Sequence, residues 1–140
     1  MNVTIRVTAT GPLAAGSVPE YVREGLEAAV WELIEMADTR LALEARPRPA
    51  GVYKSYDEGG TSTGHYRRNM STHREGLMAF LSDNGMIYGS WLEGIGSRNA
   101  TTRFKGYSMF RRAAQMLEEI APGVAQRQIG TAMRRANGAV

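Results

Sequence analysis

The sequence predicts a single α+β domain, and three features of its hydropathy pattern indicate that class. Val3, Ile5 and Val7 alternate with polar residues, which is the period of a half-buried strand. Residues 18–44 repeat apolar side chains at three- and four-residue spacing, which is the period of an amphipathic helix. Residues 68–92 contain three more strand-like runs. We therefore expect a long helix and C-terminal helices packed on an antiparallel β-sheet.

Proline and glycine mark the ends of the first two elements. Gly11-Pro12 ends the first strand, and Arg46-Pro47 ends the long helix because proline disfavours helical conformation in the residue before it. Residues 47–64 are rich in glycine and show no period, so they predict a long loop. Loops of this length in a compact domain tend to be functional or disordered.

The dipeptide Asn84-Gly85 predicts a β-hairpin between two apolar runs. Both central residues of a type I′ turn need positive φ, and asparagine and glycine tolerate it best. The strands predicted on either side are 77–83 and 86–92, and a strand over 68–74 precedes them. These strands supply most of the expected sheet.

The last third of the chain predicts helices after a polar loop over 94–103. One helix covers about 106–120, and Pro122 interrupts it because proline lacks a backbone donor. Residues 122–140 then form a C-terminal helical extension that stops near Asn137.

Composition excludes several classes of chemistry. The 140 residues contain no cysteine, so thiol catalysis, disulfides and cysteine-ligated metals are excluded. The two histidines, His65 and His73, have no metal-ligand spacing, and we expect neither a metal nor a cofactor. No apolar run reaches the roughly 18 residues that span a bilayer, and the start lacks a secretory signal pattern, so we expect an intracellular protein.

The charges are distributed unevenly along the chain. Residues 20–46 carry seven acidic and three basic side chains, whereas residues 98–140 carry eight basic and two acidic ones. Such a division suits either a basic face for nucleic acid or two complementary surfaces that meet between copies of the chain. The spacing of Trp31 and Ile34 places them partly off the apolar stripe of the long helix. They face either a second partner or a wide core-facing stripe.

Three short elements resemble those of a known family. Thr63-Gly64-His65-Tyr66-Arg67-Arg68-Asn69-Met70 is similar to a Thr-Gly-x-Leu-Arg-x-Ser element. Tyr88-Gly89-Ser90-Trp91-Leu92-Glu93-Gly94 is similar to Tyr-Ala-x-Tyr-x-Glu-Phe-Gly-Thr, and Phe110-Arg111-Arg112-Ala113 to Pro-Phe-x-x-Pro-Ala. In this order, after a long helix, they resemble the small tail-completion (neck) proteins of long-tailed bacteriophages. The resemblance covers about residues 18–120.

The resemblance implies a structural virion protein without enzymatic activity or cofactor. It implies a ring of about six copies between the head connector and the tail, assembled in the bacterial cytoplasm, with DNA passing through the lumen. The motif residues with an implied structural role are Thr63, Gly64, Arg67, Tyr88, Glu93, Gly94 and Phe110. The residues predicted to meet neighbouring subunits or partner proteins are Trp31, Ile34, Tyr53, Tyr56, Arg98, Arg103, Lys105, Arg111 and Arg112.

Three other functions are consistent with the sequence. A tail terminator that caps the tail tube has a similar size and also works as a ring. The basic C-terminal third fits a nucleic-acid-binding module without sequence specificity. An enzyme would need a pair of carboxylates as acid and base, for which the candidates are Asp57, Glu58, Asp83 and Glu93.

Overall fold

The fold consists of a small sheet covered on one face by one long helix, against which a second long helix packs. The computed structural model describes residues 3–11, 18–44, 68–87, 89–101, 103 and 105–138. In chain order the elements are β1 (Thr4–Thr8), α1 (Glu20–Glu44), β2 (Ser71–Glu75), β3 (Met78–Ser82), α2 (Gly89–Glu93), α3 (Ser97–Thr101) and α4 (Met109–Ala136). The strands are antiparallel and α1 packs on them, which confirms the α+β class. The loop predicted over 47–64 lies outside the described residues.

The sheet has β3 at its centre, with β1 on one side and β2 on the other. Leu81 of β3 pairs with Ile5 of β1 and with Thr72 of β2. Ile5 and Leu81 are buried in the core that includes α1, whereas Arg6 and His73 are exposed on the opposite face. The alternation of β1 is therefore confirmed, because successive side chains of a strand point to opposite faces.

The predicted Asn-Gly hairpin is wrong, although its turn is present. Asn84 and Gly85 have φ values of 54° and 71°, and Met86 N–H donates to the Asp83 carbonyl at 3.3 Å. The chain does not return as a strand, however, and α2 occupies part of the range 86–92. The hairpin lies one turn earlier, where Gly76, with φ 55°, helps to join β2 to β3.

The position of β1 explains this outcome. Both edges of β3 are already paired, one with β1 and the other with β2, so a strand after Asn84 has no free edge on β3. The fully buried Asp83 attaches the turn to β1, because its Oδ1 accepts Val3 N–H at 2.9 Å and Gly85 N–H at 3.0 Å. Asn84 and Gly85 therefore form the predicted turn, but the pairing of β1 with β3 leaves no edge for a strand after it.

Helix α1 forms nearly where the period predicts it. Its buried side chains are Val22, Ala29, Val30, Leu33, Ile34, Ala37 and Leu41. Ile34 is 0% exposed, so the prediction that it meets a partner is wrong: the core-facing stripe is wide enough to include it. Trp31 is half-buried, and the Arg74 guanidinium of β2 lies 5.4 Å from its ring centre.

The C-terminal region is one helix, not the predicted two. Pro122 lies inside α4, where an interior proline costs about 3 kcal/mol because it removes a hydrogen bond and crowds the preceding turn. Pro122 is exposed, while Leu117 and Val124 on either side of it are buried. The packing of the buried face therefore holds the helix together across the proline. The predicted stop is confirmed at Asn137, which caps the helix.

Helices α1 and α4 form a long antiparallel pair. Arg40 contacts Met116 near one end, and Gly25 meets Ile129 near the other. A Cβ atom on Gly25 would lie 2.5 Å from the Ile129 Cα, so only glycine permits this approach. The separate extension predicted over 122–140 is instead the second half of α4, and it packs against the first half of α1. Among the three strands, α4 contacts mainly β1.

We predict opposite effects for two glycine-to-alanine changes in these helices. Gly25→Ala should lower the free energy of unfolding by about 1–3 kcal/mol, because the methyl group overpacks the helix contact. Gly123→Ala should raise it by about 0.5–1 kcal/mol, since alanine favours helix and its Cβ would meet nothing within 4 Å. Urea unfolding measures both, and a stabilising Gly25→Ala would contradict the close approach.

Candidate functional site

A buried carboxylate controls the start of α4. Glu93, the last residue of α2, is 6% exposed. Its Oε2 accepts Phe110 N–H at 3.0 Å and its Oε1 accepts Arg111 N–H at 2.8 Å. Ser108, at the N-cap position, makes no side-chain capping bond. Glu93 therefore satisfies two first-turn amides that would otherwise lack partners, and its charge suits the positive end of the helix.

Two glycines let the backbone close around this carboxylate. Gly94 and Gly106 have φ values of 93° and 87°, which other residues rarely adopt. A Cβ atom on either glycine would overlap backbone atoms of the opposite segment. Tyr107 N–H also donates to the Leu92 carbonyl at 2.6 Å, so the two segments are joined directly. We call residues 89–112 the capping junction.

The loop predicted over 94–103 contains the short helix α3, which a buried asparagine attaches to α2. Asn99 Oδ1 accepts Gly96 N–H at 2.9 Å, and its Nδ2 donates to the Trp91 carbonyl at 3.0 Å. Lys105 Nζ donates to the Asn99 carbonyl at 2.7 Å. These bonds order the segment that the sequence presents only as a polar loop.

The capping junction carries exposed basic side chains near the N-terminus of α4, where cations are uncommon. Arg111 and Arg112 are exposed in the first turns of α4, and no acidic residue lies in its first turn. A cation near a helix N-terminus is disfavoured by the helix dipole, by about 0.3–1 kcal/mol at the surface. Arg111 Nη2 donates to Ser108 Oγ at 2.9 Å, and the Glu93 carboxylate lies at the same end of the helix, so part of this penalty is offset inside the chain. Arg103 and Lys105 are exposed in the preceding segment and extend the basic surface.

A second charged contact joins the two long helices. Glu32 of α1 accepts hydrogen bonds from Arg127 Nη2 at 2.6 Å and from Gln128 Nε2 at 2.5 Å. The bonds from Arg127 and Gln128 lower the pKa of the Glu32 carboxyl below its usual value. Part of the charge complementarity expected between copies is thus already used inside the chain.

The structure brings together only some of the predicted site residues. Glu93, Gly94 and Phe110, from two separate motif elements, meet in the capping junction. The exposed members of the predicted interface there are Arg103, Lys105, Arg111 and Arg112, and Arg98 lies in α3. Six of the predicted residues lie outside the described part: Tyr53, Tyr56, Thr63, Gly64, Arg67 and Tyr88.

Two carboxylates considered for catalysis have structural contacts instead. Asp83 binds the start of β1 and its own turn, and Glu93 caps α4. Asp57 and Glu58 lie outside the described residues. Within the described ranges, no group of three or more His, Cys, Asp or Glu residues is arranged to hold a metal ion. No helix in these ranges is long and apolar enough to cross a membrane.

Sequence reasoning missed Asn99 and Gly106. Asn99 lies among small polar residues without a distinguishing pattern, so no local signal indicates its burial. Gly106 could have been noticed, because a glycine at the first position of a predicted helix can mark a close backbone approach.

The chain matches no protein-family model, no curated protein and no solved structure. Its function must therefore be inferred from its own residues and their geometry.

We predict that Glu93→Gln lowers the free energy of unfolding by about 2–3 kcal/mol. The amide keeps one acceptor oxygen, but it loses the charge and turns an NH₂ group toward a backbone donor. Urea unfolding measures the loss, and Glu118→Gln on the exposed face of α4 is the matched control, expected within about 0.5 kcal/mol of wild type. Equal stabilities of the two variants would contradict the capping role.

Glu32 should make stability depend on acidic pH. Its folded-state pKa lies below the ordinary value of 4.5, so the folded state binds this proton less readily than the unfolded state. The contribution is complete above pH 4.5 and is lost as the pH falls through the lowered folded-state pKa. Urea unfolding across this range should show a smaller loss for Glu32→Gln than for wild type. Parallel curves would contradict the assignment.

Proposed function

We propose that this chain is a non-enzymatic virion protein that forms a ring at the neck of a long-tailed phage and joins the DNA-filled head to the tail. The observation that carries the proposal is the contact between Glu93 and Phe110. These residues belong to two separate elements of the resemblance, 17 positions apart, and Glu93 caps the helix at Phe110. The donor is the backbone N–H of Phe110, so the bond supports the proposal by bringing the two elements of the resemblance together in one place.

The exposed basic surface supports a role in assembly. Arg111 and Arg112 are exposed at the start of α4, so their positive charge can meet an acidic surface of a neighbouring protein. In a ring, one surface of each subunit meets a different surface of the next, and opposite charges fix that orientation. The proposed partners are further copies of the chain, about six per ring as the resemblance implies, together with the connector or head-closure protein and the tail terminator or tail tube protein. The proposed location is the virion neck, assembled in the host cytoplasm, with DNA passing through the lumen and no cofactor.

Deletion of the gene from its parent phage genome tests the proposal directly. Electron microscopy of the lysate should show DNA-filled heads beside separate tails of normal length. Abnormally long tails would instead indicate a tail terminator, and emptied heads would indicate head closure. Normal infectious particles would contradict a role in the neck.

Reversing two charges of the basic surface should block joining without unfolding the chain. We expect Arg111→Glu/Arg112→Glu to lower the number of joined particles at least about tenfold in complementation, because like charges then face the partner. The matched control is Arg6→Glu/Arg68→Glu, which reverses two exposed arginines away from the capping junction. Thermal unfolding of the purified variants checks the fold. Wild-type joining by the first variant would contradict the assigned surface.

The same arginines favour one competing function, a nucleic-acid-binding module. Phosphate contacts would give measurable DNA affinity at physiological salt and a steep fall of that affinity with rising salt. A titration of DNA binding against salt concentration separates the two functions. Absent or negligible affinity at physiological salt favours the structural role.

A further inference from the structure

A partly apolar groove lies between the second half of α1 and the early turns of α4. It has a volume of about 360 Å³ and is lined by Glu32, Glu35, Met36, Thr39, Arg40, Leu43 and Met116. Leu43 is 57% exposed and Met36 37% exposed, so two large apolar side chains of one helix face the same opening. A contiguous apolar patch on a surface helix marks an interaction site more often than scattered exposed residues do.

The charges beside the groove restrict what it can bind. Glu32 and Glu35 border it together with one cation, Arg40, whose Nη1 contacts Met116 Sδ at 4.0 Å, and α1 as a whole carries seven acidic and two basic residues. Glu32 already binds Arg127 and Gln128 of α4. The acidic surface of α1 therefore recognises basic residues of α4 within the chain. An occupant of the groove should combine an apolar side chain with neighbouring cations.

The far end of α4 has this composition. Met133 is 41% exposed, and it is followed by the exposed Arg134 and Arg135 in the last turn of the helix. Arg134 Nη2 also donates to Thr131 Oγ1 at 3.2 Å, along its own helix. We call residues 133–135 the basic tip.

The basic tip cannot reach the groove of its own chain. Met116 and Arg134 lie on one continuous helix, and 18 residues at 1.5 Å each separate them by about 27 Å. A helix of this kind does not fold back on itself. A basic tip that enters a groove must therefore come from another copy.

We propose that the basic tip of one copy docks in the α1–α4 groove of the next copy, with Met133 against Met36 and Leu43 and the two arginines beside Glu35. This proposal rests on the proposed ring and names its subunit contact. Each copy offers one tip and one groove, at opposite ends of the helix pair. Such a head-to-tail contact closes into a ring when the rotation between copies allows it.

Charge reversal with rescue tests the contact on the purified full chain. Glu35→Arg in the groove, or Arg134→Glu/Arg135→Glu in the tip, should each raise the dissociation constant of self-association at least about tenfold. The triple variant that combines them should return to within about threefold of wild type, because the charges are exchanged. Sedimentation equilibrium measures association, and circular dichroism checks the fold. Matched controls are Glu24→Arg, exposed on α1 outside the groove, and Arg6→Glu, exposed on β1 outside the tip.

Mixing the two single-surface variants gives a sharper result. In the mixture every contact pairs opposite charges: the unchanged tip of the groove variant meets the unchanged groove of the tip variant, and the Glu-bearing tip meets the Arg-bearing groove. The mixture should therefore associate about as strongly as wild type, whereas each variant alone stays monomeric.

The proposal is overturned by three results. These are a wild-type chain that stays monomeric up to about 1 mM, variants that associate as well as wild type, or a mixture that forms no complex. Failure of the proposed function is a separate result, because it is read from head–tail joining in the gene-deletion lysate. Loss of joining with unchanged association in the variants would place the ring contact elsewhere and leave the neck role intact.

Discussion

The two hydrogen bonds from the start of α4 to the Glu93 carboxylate fix the position at which α4 begins. Ser108 adopts a left-handed conformation, with φ 52°, and provides no capping side chain, so the first amides depend on a residue outside the helix. The start and direction of α4 determine how its 28 residues lie along α1. Because α4 packs along α1, and α1 covers the sheet, the Glu93 cap helps to place α4 on the rest of the fold.

Elements whose signals are local could be predicted from the sequence. The period of β1, the length of α1 and the stop at Asn137 all depend on near neighbours, and the structure agrees with them. Even the positive φ at Asn84 was predictable. The strand expected after it was not excluded by any nearby residue. It was excluded by β1, about 80 residues earlier, which occupies the edge of β3.

The candidate site was predictable to a similar degree. The arginines of the capping junction are visible as a basic region, and Glu93 and Phe110 are visible through the resemblance. Their contact is not visible, since it depends on how Gly94 and Gly106 let two backbone segments meet. Pro122 shows the opposite failure: a reliable local rule predicts a break, and burial of Leu117 and Val124 overrides it.

The contact between Gly25 and Ile129 also means that α1 is synthesised well before the helix that covers it. These residues are separated by more than a hundred positions, so the ribosome makes α1 well before the surface that covers it. At about 5–20 residues per second, the apolar stripe of α1 waits about 5–20 s for its partner. Contacts so distant in sequence also slow folding, because the intervening chain must be ordered before they form. The apolar stripe of α1 is therefore uncovered during this interval and is open to contacts with other chains.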